Sequence, residues 1–135
     1  MASIPAAVAH PNELSATQLA IVATIGATLW FLAALLIRAV EPFGALEGTG
    51  VAIFYALIIP GTVPFIPLIR RLAALRRDKT VYGVAVATGV AGLLDGLALA
   101  YFPALYGANT AGAGAAILWG AGVALMLAVV MSRGR

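Results

Sequence analysis

Asp95, the single charge in the apolar run from Thr80 to Phe102, is the residue best placed to do chemistry in this sequence. Counted back from Phe102 at about 1.5 Å per helical residue, it lies about 10 Å inside that run. An aspartate near the centre of a membrane helix costs about 2.5–3.5 kcal/mol on insertion. Leu93, Leu94, Leu97 and Leu99 offset that cost. An acid in such a place faces a bundle interior, where it pairs, titrates or binds a cation. Pairing or hydrogen bonding is the first reading for Asp95, and a proton or cation site is the second.

Two other features bear on that choice. Arg38, at the far end of the first apolar run, differs from Asp95 in depth by about 7 Å and is within an extended arginine's reach if the helices are neighbours. The competing expectation is that Arg38 snorkels to headgroups or to Glu41. Pro60-Gly61 falls near mid-membrane at a depth close to that of Asp95. A proline frees a backbone carbonyl that could serve a cation or substrate, although a packing kink is the commoner outcome. Asp95, Arg38, Pro60 and Gly61 are therefore the candidate ion or substrate site.

Other chemistries have few residues to work with. The absence of cysteine removes disulfides, thiolate metal sites and thiol nucleophiles. The one histidine, His10, lies outside the apolar runs, and the one lysine, Lys79, sits in a basic connector. Haem or chlorophyll on a membrane histidine, and retinal on a membrane lysine, are not expected. No His/Cys/Glu group has metal-ligand spacing, and Ser3, Ser15 and Ser132 lie at or beyond the ends of the runs. The expectation is a non-enzyme without metal or cofactor, with an apolar cofactor such as a quinone or carotenoid left open.

The elements that position these residues follow from hydropathy. Of 135 residues, 63% are hydrophobic and only 10% charged, too few charges to cover a water-facing surface. Four apolar runs, about 15–40, 51–69, 80–102 and 112–131, are each near the ~20 residues needed to span a bilayer. They are apolar on all sides, unlike the helices of a soluble core. The fold class is thus all-α: one integral membrane four-helix bundle with short connectors, over residues 1–135. Residues 1–14 form an N-terminal segment without the basic start and apolar core of a signal peptide. Ser15 and Gln18 fit a capping box, and Pro60, Pro64 and Pro67 should kink or break the second helix.

The connector at 70–79 holds five of the eight basic residues, and the C-terminal tail holds two more. Basic connectors stay in the cytoplasm, which places both termini there. Arg70, Arg71, Arg76 and Arg77 are read as topology determinants that also attract anionic headgroups. Nucleic acid is not an expected partner, since no domain remains to present bases.

Small residues make the most regular pattern. Gly92 and Gly96, with Thr88 before and Ala100 after, flank Asp95, and Gly112, Ala116, Gly120, Ala124 and Ala128 recur every fourth residue in the last run. Such stripes let membrane helices approach closely. They point to helix packing within the chain or with a homo-oligomer or larger complex. Trp30 and Trp119, inside their runs, are expected to fill space beside glycines, while Tyr101, Phe102 and Tyr106 suit an interfacial aromatic belt.

The strings LWFLAALLIR, GLLDGLALAYFP and ILWGAGVAL resemble a family of small, uncharacterised four-helix bacterial membrane proteins, a domain of unknown function. The resemblance covers about residues 20 to 131. It implies the same fold and a bacterial origin, with Arg38, Asp95, Pro103 and Trp119 matching recurrent features of the family, but no activity. The functional expectation is an accessory subunit or helix-packing partner in a membrane assembly. The alternative is a small proton- or cation-coupled transporter using Asp95.

Overall fold

Helix α1 (Ala16–Val40) begins where Ser15 accepts a hydrogen bond from the Gln18 amide at 3.1 Å while the Gln18 side chain accepts one from the Ser15 amide at 3.0 Å. This is the expected capping box. A computed structural model describes residues 14–133, so His10, Ser3 and the rest of the N-terminal segment lie outside the described residues.

Pro42 turns the chain through a short 3-10 segment, Glu41–Phe43, and left-handed glycines at 44 and 48 reverse it. The next span is two helices, α2 (Thr49–Thr62) and α3 (Phe65–Leu72), and it bends by 35°. The expected proline disruption is present, but it falls at Val63-Pro64 rather than at Pro60-Gly61. Pro60 stays inside α2, and Pro67 occupies the first turn of α3, where a missing N–H costs no helical bond. The chain then runs through a 3-10 turn (Arg77–Lys79) into α4 (Thr80–Tyr101). A second such turn (Pro103–Tyr106) leads to α5 (Thr110–Arg133).

Four segments are long and apolar enough to cross a membrane: Ala16–Phe43, Thr49–Leu72, Arg77–Tyr101 and Thr110–Arg133. In the most apolar stretch of each, only 11–22% of the residues are buried by the rest of the chain. Leu93 is 74% exposed and Leu118 is 76% exposed, surface that lipid solvates and water does not.

The spans alternate in direction, so α1 and α4 run parallel and make the most extensive packing in the bundle. The backbones come close at Gly26, where an added Cβ would strike the Ala87 carbonyl oxygen. Two small cores stack along the bundle. One gathers Val22, Ile66, Ile69, Val84, Ala87 and Ala128, and the other gathers Ala34, Ile37, Leu46, Ala98, Tyr106 and Ala116.

Both ends are clasped by hydrogen bonds. At the basic end α3 closes with Leu75 N–H on the Arg70 carbonyl and Ala74 N–H on the Arg71 carbonyl, around a left-handed Ala74 at φ 54°. Gln18 Nε2 donates to the carbonyls of Ala73 and Ala74, so one side chain both caps α1 and ties it to the end of α3. At the opposite end Glu41 accepts from the Ala108 amide at 3.0 Å, and Asn109 caps α5 through the Gly112 amide at 2.8 Å. Gly107 has φ 97°, and a Cβ there would strike the Glu41 carboxylate.

Candidate functional site

Asp95 is half-buried in α4, and its partner is Tyr106. Beyond Tyr101 the helix stops, Pro103 starts a 3-10 turn, and that turn folds Tyr106 back into the bundle. There the phenol is 0% exposed. Its hydroxyl donates to Asp95 Oδ1, and the Trp30 indole N–H of α1 donates to the same hydroxyl oxygen at 2.9 Å. The result is a directed chain, Trp30 to Tyr106 to Asp95, that joins two spans and the connector between α4 and α5. Burial first, and then the Asp95 carboxyl that accepts its proton, push the Tyr106 phenol well above the usual tyrosine range. The phenol therefore stays protonated and keeps donating.

This arrangement replaces two expectations. Tyr106 is not part of an aromatic belt, although Tyr101 and Phe102 are 73% and 72% exposed in the manner of one. A phenol placed after a chain reversal near an intramembrane acid finds a better partner inside than at the interface, because the acid would otherwise be unpaired in apolar surroundings. Trp30 does not merely fill space, since its N–H is bonded within the chain. Trp119 likewise stacks on Tyr55 with ring centroids 5.0 Å apart and donates to the Tyr55 carbonyl at 3.0 Å, which joins α5 to α2.

Arg38 is not brought to Asp95. Its residue is exposed on α1, and the one ion pair among the described residues is Arg76–Asp78, at the other end of the bundle. Pro60 and Gly61 are also exposed, and no atom lies within 4 Å of a Cβ built on Gly61. Helix α2 packs on α5 and α3 and touches α4 at most marginally, so the structure does not gather Pro60, Gly61 and Asp95 into one site. No group of three or more His, Asp or Glu residues that could hold a metal occurs among the described residues.

The two small-residue stripes part company. In α5, Ala116 is buried, Ala124 packs against the core that holds Val22 and Ala128, and Gly112 is crowded by Asn109 and Leu46, while Gly120 has open space. That stripe is consumed inside the chain, apart from Gly120. In α4, Gly92 and Gly96 are exposed with nothing within 4 Å of a built Cβ. They belong to a longer outward row, Ala85, Gly89, Gly92, Gly96 and Ala100, all exposed, on the face opposite Ala87. Thr88, expected in this row, is half-buried off it, and Gly89 takes the place.

Arg70, Arg71, Arg76, Arg77 and Lys79 cluster at one end, and Arg133 closes α5 at the same end. The opposite end carries Glu41, Glu47 and Arg38.

Fold and site define an α-helical multi-pass membrane protein that contacts the lipid bilayer. Its one intramembrane acid is satisfied by a tyrosine. In comparisons with known proteins, no family model matches the chain, and no curated protein or solved structure shows significant similarity to it.

Proposed function

We propose that this protein is a non-enzymatic helix-packing partner, an accessory subunit within a larger membrane assembly or a homo-oligomer. The observation that carries this reading is the outward row on α4. Five small residues in one row, Ala85, Gly89, Gly92, Gly96 and Ala100, are all exposed, and nothing of this chain lies within 4 Å of a Cβ built on the three glycines. Leu93 and Leu97, 74% and 59% exposed, stand beside the row as flanking ridges. In lipid, where apolar burial gives no net drive, such a face gains energy only by close approach of another helix.

The charge asymmetry supports an orientation with the Arg70–Lys79 end and both termini in the cytoplasm. The proposed location is the bacterial cytoplasmic membrane.

The competing reading, a proton- or cation-coupled transporter using Asp95, has less behind it. The acid is engaged by a donor chain, and the Pro60 and Gly61 backbone is remote from it. Proton-coupled flux in liposomes that Asp95→Asn abolishes would favour transport.

For the packing role, the test is purification at native expression levels in a mild detergent. A complex larger than the 13.7 kDa chain is expected, and it should be lost in Gly92→Leu/Gly96→Leu protein that keeps its helicity. A wild-type protein recovered strictly as a monomer would sink this reading.

A further inference from the structure

A second unfilled feature lies on the α1–α4 seam, in the half of the bundle away from the basic connector. Trp30 of α1 and Leu94, Leu97, Ala98, Tyr101 and Phe102, along and just beyond α4, line a groove of about 310 Å³ with a wholly apolar wall. It runs lengthwise along α4 and opens toward the surrounding lipid, which is the shape of a slot for a hydrocarbon chain.

Arg38 lies at the same end of the bundle as the Tyr101–Phe102 rim of this slot, with its backbone beside Gly107. Trp30, Ala34 and Arg38 follow one another at four-residue spacing, so they climb one side of α1. The Gly26–Ala87 contact sets the register of the two parallel helices and brings Arg38 level with about Leu99, close to the Tyr101–Phe102 rim. Arg38 is the one basic residue at this end among the described residues, and it is exposed and makes no ion pair there. The nearest carboxylate in sequence, Glu41, accepts from the Ala108 amide instead.

The geometry points to a phospholipid site: an acyl chain in the Trp30–Phe102 groove, with the phosphate of an anionic headgroup on the Arg38 guanidinium. A guanidinium binds phosphate through a planar fork of donors, and phosphatidylglycerol, unlike phosphatidylcholine, carries no ammonium of its own to compete. A phosphatidylglycerol-type lipid is therefore preferred over a phosphatidylcholine. The site is on the α1–α4 seam and shares only Leu97 with the flank of the outward α4 row, so it does not depend on the proposed packing role.

Trp30 supplies the readout, because bromine on an acyl chain quenches only an indole it touches. In a Trp119→Phe background Trp30 is the sole tryptophan. The protein is reconstituted in mixtures of phosphatidylcholine and phosphatidylglycerol, with bromine on the acyl chains of one lipid at a time. The expected result is a relative binding constant favouring phosphatidylglycerol by about fivefold, the contribution of one basic residue near an anionic charge. Arg38→Gln should bring the ratio to about one, and Arg38→Lys should keep most of it, because lysine holds the charge without the fork. High salt should weaken the preference. Quenching indifferent to headgroup in the wild-type protein, or a preference unchanged in Arg38→Gln, means bulk annular lipid only and overturns the assignment.

Discussion

Tyr106 donates its hydroxyl proton to Asp95 from 11 residues further along the chain, across the turn that Pro103 begins. The contact explains how an aspartate can sit within an apolar span without a basic partner. The turn delivers a neutral donor, and Trp30 of α1 holds that donor in place. Removing the tyrosine hydroxyl leaves both an acid and an indole N–H without a partner, so Tyr106→Phe should cost about 1–3 kcal/mol. Trp30→Phe removes one donor and leaves the Tyr106–Asp95 bond, so it should cost about 1 kcal/mol or less. Unfolding of detergent-solubilised protein in a denaturing surfactant gives the comparison. A double mutant no worse than Tyr106→Phe alone would establish that the two residues act as one chain. Equal and additive losses would show that they do not.

Glycines that look alike in sequence should behave differently. A methyl at Gly26 meets the Ala87 backbone and must push α1 from α4, so Gly26→Ala should lower stability by about 1–3 kcal/mol. Gly92→Ala and Gly96→Ala meet nothing within the chain and should leave the monomer's stability unchanged or raise it by up to about 1 kcal/mol, through alanine's better helix propensity. A destabilised Gly96→Ala monomer would mean that the α4 row packs inside the bundle.

Ala74 offers the opposite sign. It holds the left-handed position that closes α3, where a Cβ is unfavourable and glycine is the usual residue. Ala74→Gly should raise stability by about 0.5–1 kcal/mol, even after the entropy that glycine adds to the unfolded chain. Thermal melting in detergent measures it, and a lower melting temperature would contradict the left-handed assignment.

How much of this was legible in the sequence depended on the range of the interaction. Hydropathy fixed the four spans because insertion depends on local composition, and the Ser15–Gln18 capping box followed from three-residue spacing. Prolines at 60, 64 and 67 announced a disrupted helix but not which one would break it, since a helix can absorb one missing N–H and reseal around it. The partner of Asp95 was hidden because opposite charge drew attention to Arg38, whereas the backbone reversal at Pro103 delivers a neutral phenol instead. Gly26 gave no signal. It stands alone rather than in a Gly-x-x-x-Gly, and only the crossing of α1 with α4 brings the Ala87 backbone against it. Gln18 was seen as a cap, but its second bond, to the end of α3 some 55 residues away, has no local signature.

A chain that crosses a bilayer four times has its Arg70–Lys79 end and its Glu41–Gly48 end on opposite sides. The sequence has no cysteine, so single-cysteine variants report position without background. Asp78→Cys, Arg133→Cys, Glu47→Cys and Ala108→Cys would be labelled with a membrane-impermeant maleimide in sealed inside-out and right-side-out vesicles. Positions 78 and 133 should label from one face only, positions 47 and 108 from the other only, and all four after detergent is added. Labelling of positions 78 and 108 from the same face of intact vesicles would contradict this topology.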